Sequence, residues 1–309
     1  MAIVYVIVFI VSLFVLIKGA DVFLNSAEKI GLAAGLSPFV VGVVIVGIGT
    51  SFPELISSFV AVIKGVTEIV PANAIGSNIA NILLIIGISA IVSKKIKSKT
   101  NLTDIELPMI IAATVLFFAL SYDGQISLID SIILVIAFGV YLVYSIFNKP
   151  EKEEKKVARP KIVTKDIVLL FAGLAGLVLG SKYLIDSVIN ISEVLNIAPG
   201  VVSVIAVAFG TSLPELLVSI KAARKGNPEV ALGNVFGSNI FNLLMVVGIP
   251  GLFSTLSFDV VTLTLALPAL LLVTIVFIIS CLSNSIHKWE GFMYVIMYFV
   301  FIGKVFGVI

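Results

Sequence analysis

The sequence predicts an all-α membrane protein with ten transmembrane helices, arranged as two inverted-topology five-helix repeats. Three observations carry that reading. Hydrophobic residues fill 60% of the 309 positions and charged residues only 12%, where a soluble domain would be about one quarter charged. The apolar residues fall into runs of bilayer-spanning length, about 20 residues each. Two short motifs each occur twice, at one fixed spacing.

The apolar runs predict helices over 3–25, 38–63, 71–92, 106–121, 128–147, 166–190, 199–222, 229–253, 259–281 and 289–307. The first opens on the run from Ile3 to Ile17, with no basic stretch before it and no small-residue cleavage site, so it reads as a span and not a signal peptide. The one long polar break, 148–165, contains Glu151-Lys152-Glu153-Glu154-Lys155-Lys156. It reads as a solvated cytoplasmic linker between a first five-helix repeat, 1–147, and a second, 166–309. Of the 20 lysines and arginines, 16 fall in connections on the linker's side of the membrane. The positive-inside rule then puts both termini outside a cell membrane and the linker in the cytoplasm.

A net charge of +2 gives no ground for nucleic-acid binding. The single Cys281 lies in an apolar run and has no partner for an intrachain disulfide, so it reads as core or lipid-facing. His287, beside Lys288, reads as a surface residue, and Trp289, Tyr294 and Tyr298 suit interfacial anchoring or helix packing.

The duplication is the most informative feature. Residues 47–58 match 208–219 at 7 of 12 positions, and 73–83 match 234–244 at 7 of 11. Both pairs are offset by 161 residues, and the same offset relates Gly19 to Gly180, Ser26 to Ser187 and Pro38 to Pro199. Because each repeat holds an odd number of helices, the second copy enters the membrane from the opposite side, as in many secondary transporters.

Glu54 and Glu215 occupy matching positions deep inside apolar helices. A carboxylate at mid-bilayer costs several kcal/mol, so an intramembrane acid is a functional hypothesis by default. The structural alternative pairs each acid with Lys18 or Lys182, which instead could snorkel to the interface. Each glutamate ends a Gly-Thr-Ser-x-Pro-Glu motif. Pro53 and Pro214 lack an N–H, which frees the carbonyls of Gly49 and Gly210. Thr50 and Thr211 stand four residues before the acids and share their helix face. In the second motif, Gly-Ser-Asn-x-x-Asn, Ser77 with Asn81 and Ser238 with Asn242 add neutral oxygens, while Gly76 and Gly237 suit close helix packing. Carboxylates, hydroxyls, amides and free carbonyls, without histidine or thiolate, describe a site for a hard cation. Calcium accepts about 6–8 oxygens in flexible geometry, whereas zinc prefers nitrogen or sulfur. The same oxygens could hold several Na⁺. No phosphate-binding loop, nucleophile motif or cofactor site is present, which argues against an enzyme.

These duplicated motifs resemble the alpha repeats of the sodium/calcium exchanger family, within the cation/calcium antiporter superfamily, and the resemblance spans essentially the whole chain. It implies antiport of Na⁺ against Ca²⁺ by alternating access, with three Na⁺ per Ca²⁺ and hence electrogenic. It also implies ligation by Glu54, Glu215, Thr50, Thr211, Ser77 and Ser238, by the carbonyls of Gly47 and Ala208, and by Asn81 and Asn242 at the centre. Some prokaryotic and potassium-dependent members carry aspartate where this chain has Asn242, a departure that speaks against potassium co-transport. The short linker leaves no room for the large cytoplasmic regulatory domain of animal members. Exchange of H⁺ for Ca²⁺ by the same fold, potassium-dependent exchange and, more remotely, a cation channel are the competing readings. The expected partners are the two transported ions and the lipid bilayer, with no cofactor, no nucleic acid and a monomer as the working expectation.

Overall fold

Inside a bilayer no water pairs with the backbone, so an apolar run of sufficient length satisfies its N–H and C=O groups only by becoming helical. The structure, a computed structural model, describes residues 2–36, 38–97, 106–147, 161–194 and 212–308. Its helices follow the apolar runs: α1 (Ala2–Ala33), α2 (38–63), α3 (69–93), α4 (Glu106–Leu120), α5 (Leu128–Phe147), α6 (Thr164–Val194), α7 (Leu213–Arg224), α8 (228–251), α9 (262–282) and α10 (Lys288–Val305). Among the described residues, six helices are long and apolar enough to cross a membrane (α1, α2, α3, α5, α8 and α9), and α4 is a shorter apolar helix. α6 is also long, with an uncharged run over 167–180, and α10 carries Lys288, Glu290 and Lys304 among its 18 residues. The first part of the predicted span over 199–222 and most of the linker lie outside the described residues.

Two expectations change. α1 continues to Ala33, well past the predicted end at residue 25. Hydropathy marks where the membrane ends, but Glu28 and Lys29 are good helix formers and carry the helix on. This extension is tied down by Lys29, whose ammonium lies 2.7 Å from Asp166 at the start of α6. The short connections also form two small antiparallel ladders that the sequence does not announce. β1 (Lys95–Lys97) pairs with β4 (Ser285–His287), placing Ile96 opposite Ile286. β2 (Gln125–Ile126) pairs with β3 (Leu256–Ser257), placing Gln125 opposite Ser257. Backbone groups at helix ends need partners, and these connections find them in each other. The two ladders are related by the 161-residue offset, which carries Ile96 to Ser257 and Gln125 to Ile286.

Glycines set how closely the helices cross. In the α1–α6 contact, a methyl group added at Gly19 would meet the backbone N of Leu177 at 2.8 Å, and one at Gly180 would meet that of Leu16 at 2.8 Å. The offset relates these two contacts as well. α2 and α8 touch backbone to backbone: a methyl at Gly47 would lie 2.9 Å from Ser238 N, and one at Gly237 would strike the Val43 carbonyl. Small residues allow this approach where lipid supplies no hydrophobic drive between helices. Two apolar cores result. The larger joins α3, α4, α5, α8, α9 and α10 with part of α2. The smaller gathers Leu16, Phe23 and Leu24 of α1 and Leu177 of α6 against α2, α7 and α8.

His287 and Trp289 are exposed, while Tyr294 and Tyr298 take the helix-packing alternative and Cys281 the core one. Gly237→Ala should lower unfolding stability in detergent by about 1–3 kcal/mol, the usual cost of overpacking. Gly139→Ala on α5, where an added methyl meets nothing within 4 Å, should leave it unchanged. Chemical unfolding followed by tryptophan fluorescence checks both.

Candidate cation site

Each glutamate follows a turn that opens a helix. In α2 a π-type stretch, Val41–Gly47, leads into Ile48–Thr50, and the chain turns at Ser51 (φ −88°, ψ 5°) before helix resumes at Phe52. The chain turns almost identically at Ser212 (φ −91°, ψ 4°) before α7 begins at Leu213. Pro53 and Pro214 favour a helix start here, since proline is compatible with the first turn of a helix but not with its interior. Glu54 and Glu215 thus sit in the first turn of these helices, where unpaired N–H groups make a positive end that favours a carboxylate.

Both acids are buried, Glu54 at 0% exposure and Glu215 at 1%. The pairing of either acid with an intramembrane lysine does not occur among the described residues: Lys18 and Lys182 are exposed and lie over the rings of Phe14 and Tyr183. The described ion pairs are Lys29 with Asp166 and Lys221 with Asp21, on α1, α6 and α7.

The structure brings α2, α3, α7 and α8 together around the acids. Ser51 Oγ on α2 donates to Glu215 Oε1 on α7 at 3.1 Å. Ser238 Oγ on α8 donates to the Gly47 carbonyl at 3.2 Å. Thr50 Oγ1 lies 3.2 Å from Asn234 Oδ1 on α8. At the centre, Asn81 Nδ2 donates to Asn239 Oδ1 at 3.1 Å, and Asn78 Nδ2 to the Asn239 carbonyl at 3.0 Å. Asn81 and Asn242 each open a π-type stretch, Asn81–Ile86 and Asn242–Val246, a local widening that recurs at functional positions.

Glu54, Glu215, Thr50, Ser77, Ser238, Asn81 and Asn242 are all buried, and the Gly47 carbonyl lies among them. Thr211 and Ala208 lie outside the described residues. The Gly47 carbonyl accepts the Ser51 N–H at 3.2 Å as well as the Ser238 hydroxyl, so it is more heavily used than a freed carbonyl. Glu215 Oε2, Asn81 Oδ1 and Asn242 Oδ1 are buried and accept no hydrogen bond among the described residues. Such atoms are costly unless something else satisfies them, and a hard cation would do so. No group of three or more His, Cys, Asp or Glu gathers among the described residues, so the set is one of carboxylates with neutral oxygens.

Ser51, Asn78, Asn234 and Asn239 were absent from the ligand set drawn from sequence. The signal was present: all four lie within the duplicated stretches, and Asn234 stands four residues before Ser238 on one helix face.

A profile of the family described as sodium/calcium exchanger protein matches residues 4–147 and 165–307. The chain belongs to the sodium/calcium exchanger family. Among relatives in this family, it is 32% identical to the sodium/calcium exchanger MaX1 of Methanosarcina acetivorans, over 97% of each chain. It is 30% identical to the inner membrane protein YrbG of Escherichia coli, over 91% of this chain and 90% of that one. It also matches a structure of the sodium-calcium exchanger NCX_Mj, soaked with zero Na⁺ and Ca²⁺, at a TM-score of 0.84 and 32% identity, covering 99% of this chain and 100% of that one.

For this exchanger-family chain, Thr50→Val should weaken Na⁺ or Ca²⁺ binding about tenfold, equivalent to about 1.4 kcal/mol. Ser121→Ala should not, because the Ser121 hydroxyl donates to the Phe117 carbonyl of its own helix at 2.7 Å. Calorimetric titration of both variants decides the matter, and equal affinities would move the site elsewhere.

Proposed function

We propose that this chain is a multi-pass antiporter that exchanges Na⁺ for Ca²⁺ across a cell membrane. One observation carries the reading: two carboxylates from opposite halves of the sequence, Glu54 and Glu215, are buried in apolar helices, and hydroxyl, amide and carbonyl oxygens of α2, α7 and α8 gather near Glu215. Two negative charges balance one Ca²⁺, and the neutral oxygens give Na⁺ the ligands it needs. The resemblance to proteins named as sodium/calcium exchangers supports the same ions.

In this reading the ligands are Glu54, Glu215, Thr50, Thr211, Ser77, Ser238, Asn81 and Asn242, with the carbonyls of Gly47 and Ala208. The chain consists of two inverted five-helix repeats, 1–147 and 166–309, joined by the linker 148–165. The reciprocal glycine contacts of α1 and α6 and the paired ladders support a two-fold relation between them. Both termini are extracellular and the linker cytoplasmic, as lysine and arginine placement favours. Access alternates as α1 and α6, closely packed on each other, move against α2, α3, α7 and α8.

Glu54→Gln and Glu215→Gln should each abolish exchange while leaving the fold largely intact, since each removes half the charge that balances Ca²⁺. Isotopic Ca²⁺ uptake by proteoliposomes under a sodium gradient, with pH clamped, measures it. Near-normal flux in both folded variants would overturn the assignment, and flux that needs no counter-ion would indicate a channel. With three Na⁺ per Ca²⁺, each cycle moves one net charge, worth about 2.3 kcal/mol per 100 mV. A valinomycin-set potential should then speed or slow the flux according to its sign. Flux indifferent to potential would mean electroneutral exchange.

A further inference from the structure

We propose that Asn234 is a positioning residue for the cation site, holding the hydrogen of the Thr50 hydroxyl so that the lone pairs of Oγ1 face the ion. The proposal rests on the exchanger function above and deepens it, because it concerns how one ligand is presented.

Asn234 lies on α8 at 0% exposure. Its Nδ2 donates to the Ser219 hydroxyl at 2.7 Å and to the backbone carbonyl of Glu215 at 3.3 Å. A carbonyl oxygen can only accept, so this contact fixes which way round the amide sits: nitrogen toward α7, oxygen toward α2. The atom facing Thr50 Oγ1 at 3.2 Å is therefore the acceptor Oδ1, and the hydroxyl must donate to it. An amide turned the other way would donate to Thr50 and occupy a lone pair.

A threonine hydroxyl has one hydrogen and two lone pairs. It ligates a cation through a lone pair, so its hydrogen has to point away, and in water it would rotate freely to do so. In a dry site the hydrogen needs an acceptor. The other carbonyl it reaches among the described residues, that of Gly47, is farther at 3.4 Å and already takes the Ser51 N–H and the Ser238 hydroxyl, and the Glu215 carboxylate, also near the hydroxyl, already accepts from Ser51. Asn234 Oδ1 is the better acceptor on distance and on occupancy. The same side chain ties Thr50 of the first half to the turn of α7 that bears Glu215, so ligands from the two halves are oriented together. Asn73, at the matching register, likewise donates to Ser58, the counterpart of Ser219, at 3.3 Å.

A role confined to gluing α7 to α8 would predict loss of stability without any dependence on Thr50. A double-mutant cycle separates the two. Na⁺ and Ca²⁺ are titrated by calorimetry into purified full-length wild type, Asn234→Ala, Thr50→Val and the double variant, with Glu54→Gln in the same series. Asn234→Ala should weaken binding about tenfold when Thr50 is present, and by less than about twofold when it is replaced by valine. Equal weakening in both backgrounds, or none in either, would overturn the proposal. Asn234→Leu, close in volume and without polar atoms, serves the cycle if the alanine variant does not fold. Glu54→Gln tests the underlying function separately: binding that survives it defeats the cation site itself. Binding lost in Glu54→Gln with an additive Asn234–Thr50 cycle defeats only the positioning role.

Discussion

The constraint on which this structure depends is the burial of two carboxylates in helices that lipid surrounds. An ionised carboxyl group withdrawn from water is unfavourable by several kcal/mol unless charge or hydrogen bonds compensate it. The chain meets this first through its backbone. Pro53 and Pro214 lie in the first turn of the helices that bear the acids, so each acid lies at the positive end of its helix. Side chains from the other half add to this, as Ser51 does for Glu215. Neither device neutralises a full charge. In the proposed reading a bound cation supplies the rest.

Assembling oxygens from both halves requires backbones to come closer than ordinary side chains allow. Gly47 and Gly237 provide that on α2 and α8, where the Gly47 carbonyl and the Ser238 hydroxyl meet. The cost falls on plasticity, because a contact made of backbone cannot readily be repacked. α1 and α6 form a second glycine-lined contact, and their apolar core is distinct from the larger one. The smaller core lies between this outer pair and α2, α7 and α8, so movement of the pair shifts that interface and leaves the larger core intact. The ion pairs Lys29–Asp166 and Lys221–Asp21 sit on the outer pair and α7, away from the acids.

What was legible in the sequence was what is encoded locally or by duplication. Apolar runs gave the helices. The Gly-Thr-Ser-x-Pro-Glu motif gave both the break and the acid, because proline acts on its own chain. The end of α1 was not legible, since residues 26–33 leave the apolar run without leaving the helix. The two ladders were not legible either: strands of two or three residues are too short to show alternation, and each is specified by a partner far along the chain. For the same reason the sequence ranked Ser77 and Ser238 among the ligands but passed over Asn234. The importance of Asn234 lies in which atoms it faces across three helices, and only the fold decides that.

The same charge constraint bears on why such a site would exchange ions and not merely let them pass. In the proposed reading Ca²⁺ and Na⁺ depend on the same two carboxylates, so calcium and a full sodium complement cannot both be held. An unloaded carrier that closed over its site would enclose both carboxylates uncompensated. At about 1.4 kcal/mol per factor of ten, a penalty of several kcal/mol makes that closure rarer by orders of magnitude than closure over a loaded site. Antiport then needs no separate gate for each ion. It follows from two acids that are stable when occluded only with positive charge between them, and from neutral oxygens that accept either ion as its source.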